Sequence, residues 1–193
     1  MGCKKKALAA LIGSVFMGAT TLVVADPSAI MMANTCAGCH GTEGQSVGPA
    51  SPNLAGISES YFIDSMKGFK EGTRAATIMD RIAKGYSDAQ IESMAGYFAG
   101  LPVYKAKTMY DAAKAKAGAE VYDKGCAKCH DENGALPSDD AGILAGQWLP
   151  YLQYSMADFQ GDHREMPKKM KKQVEKLSDA EIEAVLNYFA SQQ

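Results

Sequence analysis

The chain has 193 residues, of which 47% are hydrophobic and 22% charged, with a formal net charge of −2. That length suits two small domains better than one. With 20 Lys and Arg against 22 Asp and Glu, the balance is slightly acidic, which argues against a nucleic-acid partner.

Lys4, Lys5 and Lys6 precede an apolar run from Ala7 to Ala25. A basic start, an apolar stretch and the small-residue pattern Val23-x-Ala25 read as a secretory signal peptide over residues 1–25, cleaved before Asp26. The 19-residue run is also just long enough to cross a bilayer, so a retained anchor is the alternative. No other segment has that length and character. Cys3 lies upstream of the run and is expected to leave with the signal. The mature chain, 26–193, then carries 17 basic against 22 acidic residues, a net charge of −5, and no stable membrane span. Export places it in the periplasm.

Cys36, Cys39 and His40 form a C-x-x-C-H motif, and Cys126, Cys129 and His130 repeat it 90 residues later. C-x-x-C-H is the attachment signature of c-type haem. Two thiols form thioethers with the vinyl groups, and the imidazole binds the iron from the same side. Cysteines at i and i+3 share one helix face, and a neutral imidazole is a good iron ligand. A four-cysteine zinc ribbon wants its pairs roughly 15–20 residues apart, whereas 86 residues separate Cys39 from Cys126. A thioredoxin-like pair wants a βαβ pattern, and none is visible. Two motifs in matched contexts therefore read as two covalently bound haem c groups, and two haems point to electron transfer.

The spacing predicts helices over 61–69, 75–83, 88–98, 107–122, 147–159 and 179–190, with weak strand signals throughout. Ser87 and Ser178 read as N-caps, each followed by an acidic residue. The stretches 41–53 and 131–142 are rich in Gly, Pro, Ser and Asp and read as loops. A proline-bearing loop, containing Pro49 and Pro52 or Pro137, is expected to offer a carbonyl to each histidine's outer N–H. The whole is a duplication. Leu54-Ala55-Gly56 matches Leu144-Ala145-Gly146, and Tyr61, Met66, Phe69 and Arg74 match Tyr151, Met156, Phe159 and Arg164 at an offset of 90. One residue is then inserted, and Ser87-Asp88-Ala89 matches Ser178-Asp179-Ala180 at 91. The boundary falls after Pro102, giving domains 26–104 and 105–193. Each is small for a self-sufficient core, so the haem is expected to supply much of the interior and the apo chain to fold poorly.

The iron needs a second axial ligand in each copy. His163 is the only other histidine, so bis-histidine ligation cannot serve both. Eight residues before the capping serines stand Met79 and Met170. A thioether is a soft ligand that raises the reduction potential. Met66 and Met156 also match each other but read as helix core. Met166 competes with Met170 because it precedes Pro167 in a loop-like stretch. Lys168, Lys169, Lys171, Lys172 and Lys176 cluster there, either as a solvated face or as a docking rim.

The paired motifs, the Leu-Ala-Gly…Tyr…Phe middle helix and the Met before a Ser-Asp cap resemble class I cytochrome c domains in tandem. More narrowly, the stretches 34–52 (NTCAGCHGTEGQSVGPASP), 77–98 (TIMDRIAKGYSDAQIESMAGYF) and 143–159 (ILAGQWLPYLQYSMADF) look like the dihaem cytochrome subunit of flavocytochrome c sulfide dehydrogenase. The resemblance covers essentially the whole mature chain. It implies an all-α fold of two tandem cytochrome c domains, each wrapped around one covalent haem. It also implies an FAD-containing sulfide dehydrogenase subunit as donor and a soluble acceptor such as a small cytochrome c. On that resemblance Cys36, Cys39, His40 and Met79 serve the first haem, and Cys126, Cys129, His130 and Met170 the second. The chain itself is then an electron-transfer subunit, not the enzyme, and lacks a G-x-G-x-x-G dinucleotide motif. One alternative is a free dihaem cytochrome that shuttles electrons to a terminal oxidase. Another is a dihaem enzyme, such as a peroxidase or thiosulfate dehydrogenase, which would need an open iron position.

Overall fold

The computed structural model describes residues 28–193. The signal peptide, its cleavage site and Cys3 lie outside the described residues. Among the described residues the chain is helical, and its only ladder-type pairing is an isolated bridge between Arg74 and Arg164.

The first half holds α1 (Ala29–Asn34), α2 (Ala37–His40), α3 (Glu59–Glu71), α4 (Met79–Ile82) and α5 (Asp88–Ala99). The second holds α6 (Ala112–Gly125), the irregular turn α7 (Asp131–Gly134), α8 (Leu149–Gln160), α9 (Lys168–Val174) and α10 (Asp179–Ser191). Ser87 and Ser178 cap α5 and α10 as expected. Ser87 accepts from the Gln90 N–H at 3.2 Å while Gln90 accepts from the Ser87 N–H at 3.0 Å, and Glu181 does the same for Ser178. Each reciprocal cap stabilises its helix by about 1 kcal/mol.

Three stretches differ from the sequence expectation. Residues 75–78 are not helical, because the Ala75 N–H reaches across to the His163 carbonyl at 3.2 Å. The helix expected from 107 starts at Ala112, where the Asp111 carboxylate accepts from the Ala113 and Lys114 N–H groups. The run before it is occupied elsewhere: Ala106 N–H donates to the Gly146 carbonyl at 2.7 Å. Finally, α9 forms where a loop was expected, directly after Pro167. A proline just ahead of a helix costs nothing, since its missing N–H has no partner there.

Each half has its own core. Phe62, Met66, Ile91, Met94 and Phe98 fill the first, and Val121, Tyr122, Leu152, Val185, Leu186 and Phe189 the second. Met66 is only 4% exposed, in keeping with its reading as core. The Leu-Ala-Gly glycines sit at matched places. Gly56 and Gly146 have φ of 76° and 64°, and each donates to a phenylalanine carbonyl, Phe98 and Phe189, at 2.9 Å. A Cβ on Gly56 would stand 2.8 Å from the Val103 Cα, and one on Gly146 would stand 2.6 Å from the Lys105 Cβ. The repeated motif therefore lets the connecting segment 103–106 pass close to both halves.

Helices α6 and α10 cross closest at Gly118, where an added Cβ would lie 2.1 Å from the Ala184 carbonyl oxygen. Gly118→Ala is expected to lose about 1–3 kcal/mol from forced separation of the helices. That corresponds to a fall of at least about 4 °C in the melting midpoint of the second half, read by calorimetry. Gly48→Ala, which meets nothing within 4 Å, should leave both transitions in place.

Candidate functional site

Each C-x-x-C-H motif folds as one helical turn. The His40 N–H donates to the Cys36 carbonyl at 2.9 Å, and the His130 N–H to the Cys126 carbonyl at 2.9 Å. Cys36 and Cys126 are half-buried, and Cys39 and Cys129 are exposed. Before a haem is attached, burial holds the Cys36 and Cys126 thiols above their usual pKa.

The two histidines are held differently. His40 is buried, and its Nδ1 lies 2.8 Å from the Pro52 carbonyl oxygen. Burial lowers its pKa despite that hydrogen bond. A carbonyl can only accept, so the neutral ring carries its proton on Nδ1 and presents Nε2 as the free lone pair. This is the proline-loop carbonyl expected from the sequence. His130 has no such partner among the described residues. Its ring meets Phe189 edge-on at 6.0 Å, and its backbone carbonyl accepts from the Tyr122 hydroxyl at 2.8 Å. Burial lowers its pKa too. The position matching Pro52 is Gly142, and a Cβ there would lie 2.9 Å from the Tyr61 ring. The second loop is therefore shaped around a side chain of the first half.

Cys36, Cys39, His40 and Met79 line a cavity of about 2030 Å3, and Cys126, Cys129, His130 and Met170 line the same cavity from the other half. Typical ligand pockets hold roughly 300–1,000 Å3, so this one has room for two large groups. Met66, Met156 and His163 also reach its wall, whereas Met166 is absent from it. The walls carry Leu54, Ile57, Phe62, Phe69, Leu144, Leu152 and Phe189. Paired thiols, an imidazole and a thioether on apolar walls form a donor set and a shape that fit a covalently held haem in each half.

Between the two sets lies a polar cluster that the sequence flagged only as matched repeat positions. The Arg164 guanidinium donates to the Tyr61 hydroxyl at 2.8 Å and to Ser155 Oγ at 2.9 Å. Arg74 donates to Ser65 Oγ and stacks 4.7 Å over Phe69, as Arg164 stacks 4.2 Å over Phe159. Burial raises the Tyr61 phenol, but Arg74 and Arg164 together outweigh it and leave its pKa below the usual value. Burial raises Tyr151, and the neighbouring Tyr61 adds to that. Sequence reasoning gave Tyr61, Arg74 and Arg164 no role beyond the repeat, and read Tyr151 as core packing over a place between the haems.

A second set of contacts locks the halves together. Gln147 Oε1 accepts the Asn53 N–H at 3.0 Å, and Gln147 Nε2 donates to the Asn53 carbonyl at 3.1 Å. The Trp148 indole donates to the Ser46 carbonyl at 3.2 Å. Ser58 Oγ donates to Asp139 at 2.5 Å.

The cytochrome c family profile matches residues 24–102 and again 115–193. The chain belongs to the cytochrome c family. It is a dihaem electron-transfer cytochrome c, and its cofactors are two covalently bound haem c groups. The solved structure of reduced recombinant cytochrome c4 from Pseudomonas stutzeri superposes with a TM-score of 0.70 at 29% identity, covering 81% of this chain and 92% of that one. A thiosulfate dehydrogenase electron acceptor of Thiomonas intermedia (strain K12) is 29% identical over 196 residues, 95% of this chain and 88% of its own length. The cytochrome subunit of sulfide dehydrogenase of Chlorobaculum tepidum is 43% identical over 67 residues, 35% of this chain and 60% of its own. The all-α, tandem-domain fold expected from the sequence of this cytochrome is thus established.

Removing one cysteine pair separates the two sites of the cytochrome. The Cys126→Ala/Cys129→Ala variant should retain a single covalent haem, read as the intact mass and the haem-to-protein ratio after denaturation. Retention of both haems by that variant would overturn the pairing of cysteines with sites.

Proposed function

We propose that this cytochrome is a periplasmic relay that accepts electrons one at a time from a sulfur-oxidising dehydrogenase and passes them to a soluble acceptor. The observation that carries the reading is the single cavity, which both motifs face across a hydrogen-bonded interface. Two redox groups held there keep a fixed mutual position. When bound, each haem supplies a one-electron iron couple. The chain's own residues do the rest. Cys36, Cys39, Cys126 and Cys129 would tether the two groups, His40 and His130 would each ligate an iron, and Met79 and Met170 would supply the second ligand. A methionine thioether favours ferrous iron and keeps the potential high. With both positions on each iron filled by these side chains, the chain would act as a carrier and not as the catalyst. Residues 1–25 act as the export signal on this reading. Among the described residues no helix is long and apolar enough to cross a membrane.

The donor we assign is the FAD-containing subunit of a flavocytochrome c sulfide dehydrogenase. Its support is the 43% identity to a sulfide dehydrogenase cytochrome subunit over 67 residues, 35% of this chain. A second reading, a free dihaem shuttle, draws on the likeness to a thiosulfate dehydrogenase electron acceptor along 95% of the chain. Affinity capture of the tagged protein from native periplasm distinguishes them. A stoichiometric partner with flavin absorbance beside two c-haems is the expected result. Two c-haems without flavin would transfer the assignment to the free shuttle.

Replacing the axial candidates tests the ligand set. Met79→Ala and Met170→Ala should each lower one of two midpoint potentials and leave the other, read by spectroelectrochemical titration. Met166→Ala should leave both. A shift with Met166→Ala and none with Met170→Ala would reverse the assignment.

A further inference from the structure

Gln147 of the second half grips the backbone of Asn53 in the first with both ends of its side chain. Its Oε1 accepts the Asn53 N–H at 3.0 Å, and its Nε2 donates to the Asn53 carbonyl at 3.1 Å. The Asn53 N–H belongs to the same peptide group as the Pro52 carbonyl, and that carbonyl lies 2.8 Å from His40 Nδ1. One chain of hydrogen bonds therefore runs from the His40 imidazole, through a single peptide group, to a side chain of the other half. Gln147 is 4% exposed and Asn53 6%, so water competes little for these bonds.

The duplication supplies no counterpart in the other direction. At the offset of 90, Pro52 and Asn53 correspond to Gly142 and Ile143, and Gln147 corresponds to Ile57. Ile57 and Gln147 leave matching turns: the Ile57 N–H donates to the Leu54 carbonyl and the Gln147 N–H to the Leu144 carbonyl, each at 3.2 Å. An isoleucine side chain can neither donate nor accept. Ile57 and Ile143 are nonetheless buried. Filling these two places thus needs no polar side chain, and folding alone does not call for the amide at 147.

Its position on the peptide does. Hydrogen bonds in series polarise one another. An acceptor on the Asn53 N–H draws negative charge onto the Pro52 oxygen, which then holds the imidazole proton more firmly. A ring whose outer N–H is held more firmly is a more basic ligand, and a more basic ligand favours ferric iron. We propose that Gln147 is a positioning residue for the first redox site, which strengthens the Pro52 carbonyl as the partner of His40 and thereby lowers the reduction potential of the first haem alone. The proposal rests on His40 as an iron ligand in the relay reading above. The potential of one half then carries a contribution set by the seating of the other.

The test uses the dihaem holoprotein. Gln147→Leu and Gln147→Ile remove the acceptor with an apolar group, the latter placing there the residue of the matching position. Each should raise the midpoint that Met79→Ala lowers and leave the other in place. The equilibrium for sharing one electron between the haems should change about threefold, roughly 30 mV, read by spectroelectrochemical titration. In the reduced protein labelled with 15N-histidine, the His40 Nδ1 proton resonance should move upfield while that of His130 stays. Either variant alone decides the matter. Gln147→Glu keeps an oxygen acceptor, so its His40 resonance should stay at or downfield of the wild-type position. Asp139→Ala removes the Ser58–Asp139 bond, another contact between the halves, and should change neither reading. An unmoved His40 resonance in the apolar variants, a shift of the second midpoint in place of the first, or an equal effect of Asp139→Ala would overturn the proposal. A wild type in which His40 gives no haem-bound imidazole signal would instead sink the ligand set of the relay reading.

Discussion

Asn53 and Gln147 exchange hydrogen bonds inside the interface, and both are buried. Asn53 follows Pro52, whose carbonyl holds the His40 ring. The contact that joins the halves therefore also sets the loop that orients the first imidazole. Further bonds from the Asn53 side chain, to the Tyr104 and Gly146 carbonyls at 3.4 Å, tie the connecting segment into the same knot. Leaving any of these groups unpaired would cost about 1–3 kcal/mol, since each is shielded from water. The single cavity, the facing motifs and the Arg–Tyr cluster between them all follow from this lock. Were the halves free to swing, the two clefts would be separate sites with no fixed relation.

Much of the local structure was legible because its causes are local. Ser87 with Gln90 and Ser178 with Glu181 announce helix starts within four residues. The motif cysteines and histidines are legible because thioether chemistry fixes their spacing. What was not legible depends on partners far away in sequence. Residues 75–78 have helical character on their own, but the Ala75 N–H is claimed by the His163 carbonyl. Asn53 and Gln147 lie 94 residues apart and belong to no motif, so nothing local marks them as a pair. Helix α9 was hidden by Pro167 and by a run of lysines without an apolar face. Met170 stood ahead of Met166 in the sequence because it matches Met79 before a capping serine, and α9 carries Met170 to the cavity wall, which Met166 does not line.

The duplication has diverged where the halves touch. Gly142 stands where the first copy has Pro52, and Tyr61 packs on it. The second loop trades its histidine contact for a fit to the first half. Tyr122 takes over part of the task by bonding the His130 backbone and the Asn133 N–H at 3.0 Å. The contact is thus asymmetric at this loop, while Arg74 and Arg164 still meet as matched positions of the two copies.

The same cavity bears on stability. Leu54, Ile57, Phe62, Leu144, Leu152 and Phe189 all present surface to it. Apolar surface facing water forgoes roughly 25 cal/mol for each Å2 that could be buried. A group that binds the folded chain and covers those walls shifts the folding equilibrium toward it. Ordinary ligands do so only while they remain bound, and their effect falls with dilution. Thioether tethers remove that dependence, because the covering group cannot leave. Covalent attachment through two short motifs would thereby make the group that covers these walls a permanent part of each half's core.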